Sequence, residues 1–195
     1  YYLNRAQNYV NLFNDEIGWF MGRDVNGAFR TSSDDFNPGI WWGDYTETNA
    51  FNMAFTVPQD GQGLANLYGG REKLAERLDG LFNASPDLVQ DGTIHEMVEA
   101  RDLKMGLYGH SNQPSHHIPY MYNYAGRPDR TQEVVREVLA RAYVGSDFGQ
   151  GYIGDEDNGE MSAWYILSAL GIYPVNMGSG EYAIGSPLFT KATIH

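Results

Sequence analysis

Apolar residues recur at helical spacing through most of the chain. Leu3, Ala6, Tyr9/Val10 and Phe13 share one face of residues 3–14, which predicts a first helix. Residues 17–31, IGWFMGRDVNGAFRT, read as two extended arms turning at Asn26-Gly27, a strong hairpin signal. A polar loop over 31–45 follows and ends in Trp41-Trp42; a loop that long is either functional or disordered, and its tryptophans argue against disorder. Residues 47–55 predict a helix stopped by Pro58, and Asp60 caps a short helix bearing Leu64, Leu67 and Tyr68 before Gly69-Gly70. Arg71–Phe82 is amphipathic through Leu74, Leu78, Leu81 and Phe82. After a loop, helices are predicted over His116–Tyr124 and Arg130–Tyr143, the second presenting Val134, Val135, Val138, Leu139 and Ala142 on one side.

The last predicted helix, 158–170, belongs to the stretch Gly149–Gly171, around which the chain is organised. Gly149, Gly151 and Gly154 make a loop that delivers Asp155, Glu156 and Asp157 together. Asn158 or Asp157 can cap the helix, Glu160 suits its first turn, and Met161, Trp164, Tyr165, Ile166 and Leu167 give it a broad apolar surface. Desolvating three adjacent acids is costly unless a proton, a cation or a substrate hydroxyl takes up the charge. Acids at helix starts are also ordinary caps, and that plain reading stands beside the functional one. GQGYIG formally matches G-x-G-x-x-G, but the acids after it repel a pyrophosphate and no strand pattern precedes it. DEDNGE is not an EF-hand loop, since Gly159 falls one place early and Ile166 stands where the closing glutamate belongs. Beyond Tyr173-Pro174, EYAIGSPLF and KATIH read as short strands. The fold class is therefore mainly α, with helical hairpins of a toroid or solenoid, long aromatic and polar loops, and a β tail.

Composition narrows the partners. Twenty-five acids against thirteen bases give a net charge of −12 without a Lys/Arg cluster, so nucleic acid and anionic membrane surfaces are poor partners. No apolar run approaches the roughly 20 residues of a membrane span, and no signal peptide is present. With 42% apolar residues, a length of 195 supports a real core, and the lack of cysteine excludes disulfide and thiolate chemistry. The chain begins Tyr1-Tyr2 and stops within a strand-like run at Ile194-His195, so it reads as a fragment of a longer protein.

Two further stretches carry candidate chemistry. In WWGDYTETN, Glu47 sits at a helix entrance beside Trp41, Trp42 and Tyr45, the lining of many sugar clefts, and an apolar wall prepares a carboxyl to donate a proton. The plain alternative is a first-turn helix acid with the tryptophans in the core. In GHSNQPSHHIPY, three of the five histidines and two amides fall within eight residues. Adjacent His116 and His117 cannot both face one metal from a helix, so zinc is disfavoured, whereas the carbonyls of Asn112 and Gln113 suit a hard cation such as calcium. The alternative there is a polar helix start satisfying its own backbone. His95-Glu96-Met97-Val98-Glu99 lacks the second histidine of a zinc-protease helix, and Asn83-Ala84-Ser85 is a glycosylation sequon of a kind that arises by chance.

Taken together, DYTETNAFNMAFTVPQDGQGLANLYGG, GHSNQPSHHIPYMYNYAGRPDRTQ and GYIGDEDNGEMSAWYILSALGIYPVNMGSGEYAIGSPLF resemble glycoside hydrolase family 92, the calcium-dependent α-mannosidases. The resemblance implies an N-terminal β-sandwich, absent here, joined to an (α/α)6 toroid. Residues 1–195 are then a piece of that one catalytic domain, with about 175–195 the start of strands returning to the sandwich. It implies release of terminal α-mannose from an N-glycan or mannan with inversion, which needs an acid and a base roughly 6.5–9.5 Å apart. Glu47 in Y-x-E-x-N takes the acid's place, Asp157 in G-D-E-D-N-G the base's, and Asp155 helps position water or metal. His110, Ser111, Trp41 and Trp42 would bind substrate. Asn112, Gln113 and Asp155 would hold Ca2+, with sugar, water and main-chain oxygens completing its shell. The family also implies an extracellular or periplasmic location. Gln59 replaces the family's usual histidine in V-P-H-D, and Ser111 stands where its α-1,2-mannosidases carry a glutamate. Serine there suggests tolerance of an anionic linker, as in mannose-α-1-phospho-6-mannose. A mannose-binding module without turnover, a retaining glycosidase and a helical scaffold with no sugar site are the rival readings.

Overall fold

A computed structural model describes residues 1–89, 93–145 and 151–194. The chain is mainly helical, as the periodicity implies. Helices α1 (Tyr2–Arg5), α2 (Ala50–Met53), α3 (Gly61–Leu67), α4 (Arg71–Phe82), α5 (His95–Leu103), α6 (Pro128–Ala142) and α7 (Glu160–Leu170) are joined by 3-10 turns and irregular loops. Two antiparallel strand pairs are very short: β1 (Phe13–Asn14) with β2 (Trp19–Phe20), and β3 (Ile172–Tyr173) with β4 (Ala183–Ile184). A closed toroid goes beyond what these residues build.

The long amphipathic helices lie close to where the sequence puts them, because a single apolar stripe decides them. Helix α4 buries Leu74, Leu78, Leu81 and Phe82, and α6 buries Val134, Val135, Val138, Leu139 and Ala142. Each such large side chain contributes roughly 1.5–3 kcal/mol by leaving water. Helix α6 packs on the 3-10 turn Ile118–Asn123, whose first five residues are all buried. Asp60 caps α3 as expected, its Oδ1 accepting the Gly63 amide at 2.9 Å.

The short elements differ. The helix expected over 3–14 breaks into α1 and a 3-10 turn, Asn8–Leu12. Tertiary contacts override it: Phe13 turns inward to meet Phe20 (ring centroids 5.2 Å) and Tyr68 (5.5 Å), and the Tyr9 hydroxyl donates to Asp60 at 2.8 Å. The Asn26-Gly27 turn exists, held by Asp24, but its arms pair only at the bridge Arg23–Phe29. The expected helix His116–Tyr124 is 3-10, because residues buried on every side leave no stripe to lay an α-helix on. Helix α5 went unread within what looked like a loop, although Met97, Ala100 and Leu103 recur at helical spacing. Of the strands expected after Tyr173, only Ala183–Ile184 forms; residues 191–194 are not strand.

Helix α7 starts later and is capped differently than expected. Asp157 and Asn158 are left-handed (φ 55° and 57°) and Gly159 is the N-cap. Glu156 does the capping, its carboxylate accepting the amides of Gly159 and, at 3.2 Å, Ser162. Met161 and Trp164 are buried, but Ile166 is 56% exposed, so the apolar face is narrower than it read. Gly149 lies outside the described residues.

Candidate active site

Glu47 stands just before α2 rather than on it. Asn49 is the N-cap, its Oδ1 accepting the Asn52 amide at 3.2 Å, which leaves Glu47 exposed on a tight loop. The loop closes where the Trp42 amide donates to the Thr48 carbonyl at 3.1 Å. Beneath it, Asn49 and Asn52 are 0% and 1% exposed. The Asn52 side chain donates to the Leu107 carbonyl (3.0 Å) and accepts from the Gly109 amide (3.1 Å) and the Ser115 hydroxyl (3.0 Å). Sequence reasoning passed over this pair. Its signal was two asparagines three apart within an otherwise apolar run, amides that fold only if fully bonded.

The histidine segment is a wall with its ring nitrogens turned inward. His110 is wholly buried; its Nδ1 lies 2.8 Å from the Tyr108 hydroxyl and its Nε2 2.8 Å from that of Tyr143. Since the Tyr143 hydroxyl donates to the Met161 carbonyl (3.1 Å), it accepts from Nε2–H, and Nδ1 accepts from Tyr108. Burial, with His116 adding to it, holds the His110 pKa well below the usual range and keeps the ring neutral. Burial also lowers His117 to about 4, and its Nε2 meets the Phe55 carbonyl at 2.6 Å, behind α2. His116 bonds the His110 carbonyl (2.9 Å) and the Glu160 carboxylate (3.1 Å), and Trp164 Nε1 donates to the His116 carbonyl (3.0 Å). The His116 bond is the main reason the Glu160 carboxyl is held below its ordinary value.

These contacts bring together the three stretches that the sequence singled out. Asn112 donates its amide to the Glu47 carbonyl, which fixes the acid-bearing loop on one side. On the other, Gly154 packs against Ser111 so closely that an added Cβ would lie 2.5 Å from the serine Cβ and 3.0 Å from Glu99 Oε2. The loops carrying Glu47 and Asp155–Asp157 thus flank one segment, Ser111-Asn112. Glu99 is a further site-side residue that the reading missed, along with the helix that carries it. Its Oε2 and the Ser111 hydroxyl are buried without a hydrogen-bond partner.

Backbone conformation marks the same positions. Among the described residues five non-glycines have positive φ, and four of them are Trp42 (71°), Glu47 (52°), Asp157 and Asn158. Left-handed backbone is strained for residues with a Cβ, and such strain gathers where side-chain aim matters. Trp42 is half-exposed, whereas Trp41 is 8% exposed and belongs to the core. Asp155 is exposed, Gln113 half-buried and Asn112 buried. The oxygens of Asn112, Gln113 and Asp155 match a hard cation in kind, and among the described residues no group of three His, Cys, Asp or Glu side chains could hold a metal by itself.

The chain superimposes on a family GH92 α-mannosidase from Bacteroides thetaiotaomicron in complex with mannoimidazole, with a TM-score of 0.81, 36% identity, and 95% of this chain and 24% of that one covered. An inverting GH92 mannosidase from the same organism gives a TM-score of 0.77 at 43% identity, covering 96% of this chain and 25% of that one. A secreted glycosidase of Arthroderma benhamiae, itself uncharacterized, is 27% identical over 226 residues, which is 99% of this chain and 24% of the relative. The model of the glycosyl hydrolase family 92 catalytic domain matches residues 1–195, and the chain belongs to that family. It spans about a quarter of the length of these relatives.

Proposed function

We propose that the protein is an exo-acting α-mannosidase releasing terminal α-linked mannose from N-glycans or mannan with inversion of configuration. Glu47 protonates the departing glycosidic oxygen. Asp157, on the opposite loop, removes a proton from the water that attacks the anomeric carbon, and Asp155 orients that water. The exposed face of Trp42 contacts sugar, while buried Trp41, His110 and Ser111 hold the wall from behind. The oxygens of Asn112, Gln113 and Asp155 would hold a calcium ion, which when bound would supply positive charge to the mannose hydroxyls. The observation that carries this reading is that Glu47 and Asp157 are both left-handed and their loops flank the same short segment. An N-terminal β-sandwich completes the domain, residues from about 175 onward begin the strands returning to it, and the protein works outside the cytoplasm, as the secreted relative does.

The test is the first-formed product of the complete polypeptide, followed by NMR. β-Mannose from an α-mannoside is expected. Glu47→Gln and Asp157→Asn each lower kcat by about 10²–10⁴, and chelation abolishes activity until calcium is returned. α-Mannose as first product would transfer the reading to a retaining glycosidase; mannose binding with no turnover would make this a binding module.

Ser111 supports a finer reading, in which the leaving side accepts mannosyl-phospho-mannose. A carboxylate at 111 would repel the phosphate, whereas serine does not. Ser111→Glu should depress hydrolysis of the phosphodiester relative to α-1,2-mannobiose. An unchanged ratio removes the idea.

A further inference from the structure

Away from the acids, one cleft is bordered by polar groups that the fold itself leaves unused. It measures about 220 Å³, roomy enough for a hexose, and lies between the 3-10 turn Ile118–Asn123 and the loop joining β3 to β4. Tyr120 forms a rigid floor: it is wholly buried, stacked on Tyr173 (ring centroids 4.6 Å, 9° between planes), and its hydroxyl is tied to Ser168 at 2.8 Å. Tyr124, half-buried, and Tyr182, 56% exposed, line the cleft with Asn176 and Glu181. Among the described residues, the side chains of Asn176 and Glu181 and the hydroxyls of Tyr124 and Tyr182 have no hydrogen-bond partner. The Asn123 amide nitrogen is unpartnered too although it is buried, and a buried donor without an acceptor costs stability. Burial, with the Glu181 and Asp60 carboxylates adding to it, raises the Tyr124 pKa, so its phenol stays protonated and can donate.

These groups select their occupant. Glu181 accepts only, so it repels an anion and calls for hydroxyl or N–H donors, whereas the two amides and two phenols have donors to give and call for oxygens. An organic cation would satisfy Glu181 and the rings but leave those donors unused. A neutral pyranose serves both kinds, since its hydroxyls donate and accept while its C–H face packs on tyrosine. A single carboxylate cannot supply the acid and the base that hydrolysis needs, so the cleft binds without cleaving. It also stands apart from the acids: α7 starts just after Asp157 and runs for 11 residues before β3 follows, a rise of about 16 Å. We propose that this cleft is a second, non-catalytic glycan site, which holds a neutral hexose of the substrate while a chain end is trimmed at the acids. That the hexose is mannose rests on the α-mannosidase reading; that the cleft takes a sugar does not.

The complete polypeptide and its Asn123→Leu, Glu181→Gln and Tyr182→Ala variants are run in native gels with and without α-mannan, and assayed on α-mannosyl fluoride, which carries no second sugar. Mannan is expected to retard the parent, and Asn123→Leu and Tyr182→Ala to raise the apparent Kd about tenfold, with Glu181→Gln intermediate. Turnover of the fluoride should be unchanged in all three. Asn123→Leu removes a donor that the fold leaves unpartnered, so its Tm should hold while its retardation is lost. A parent that mannan does not retard overturns the site, as does equal retardation of parent and variants, or a matching loss on the fluoride. Mobility restored by tetramethylammonium but not by methyl α-mannoside also overturns it, making the cleft a cation cage. A parent inert on the fluoride, yet retarded in a way the variants abolish, would remove the mannosidase reading and leave the sugar site standing.

Discussion

Gly154→Ala tests whether the two acid-bearing loops are keyed to one segment. The glycine is left-handed (φ 73°), and an added Cβ would lie 2.5 Å from Ser111 Cβ and 3.4 Å from Ser111 Cα. A methyl group there meets atoms next to the backbone, which cannot swing aside as a side-chain tip can. Left-handed alanine costs roughly 1–2 kcal/mol, and overpacking typically adds about 1–3 kcal/mol, so the loop loses about 2–5 kcal/mol. Ser111→Gly in the same chain makes room and should return the overpacking part but not the backbone part. Two amides report the loss locally: Ile153, bonded to the Ala142 carbonyl (2.9 Å), and Met161, bonded to that of Glu156 (3.2 Å). In native-state hydrogen exchange their protection should fall about thirtyfold or more in Gly154→Ala. The double variant should recover it non-additively, with a coupling of about 1–3 kcal/mol. Protection unchanged in the single variant, or strictly additive effects, would refute the contact between the loop that carries Asp155 and the Ser111 segment.

Two further perturbations probe the wall behind the site. His117, buried with a pKa lowered to about 4, folds neutral, so the unfolded chain takes its proton first as pH falls. Its contribution is present above the ordinary histidine pKa near 6.5 and is lost between there and about 4, some 3 kcal/mol in all. Unfolding measured against pH should show that loss, and His117→Gln should flatten it; a parallel curve refutes the assignment. His110→Phe strips the hydrogen-bond partners from a wholly buried Tyr108 and from Tyr143, at a cost of about 2–4 kcal/mol. A lowered Tm with KM little changed is expected; a held Tm with a raised KM would mean that His110 touches the sugar directly.

How much of this was legible depended on whether a local pattern or a distant contact decided each element. Helices α4 and α6 were readable because one stripe of Leu or Val fixes them. Helix α1 was misjudged because Tyr9 and Phe13 answer to Asp60, Phe20 and Tyr68, which no local window contains. Trp41 and Trp42 looked equivalent as adjacent letters, yet one lies in the core and the other half in solvent, a difference set by the left-handed turn between them. Likewise Glu99 and Gly154 meet only in three dimensions, so spacing gave no sign of their contact.

The misplaced helix starts are the most informative discrepancies. Periodicity began one helix at Glu47 and another at Asn158; the chain starts them at Ala50 and Glu160. In both cases the lost stretch contains a left-handed residue that is an acid or adjoins one, Glu47 in the first and Asn158 in the second. An acid in a regular first turn would spend its charge on the helix, and Glu156 does so, accepting the amides of Gly159 and Ser162, an interaction with the Ser162 end that lowers its pKa. Glu47, Asp155 and Asp157 are kept out of that arrangement by loops whose strain works against local propensity. Local rules fail where a chain is held for a purpose other than stability. On that reasoning, replacing Glu47 or Asp157 with glycine should relax the backbone and stabilise the fold while abolishing hydrolysis. A thermal melt beside an assay on α-mannosyl fluoride decides it. If Tm falls for both variants, the left-handed residues serve packing and the link from strain to function is wrong.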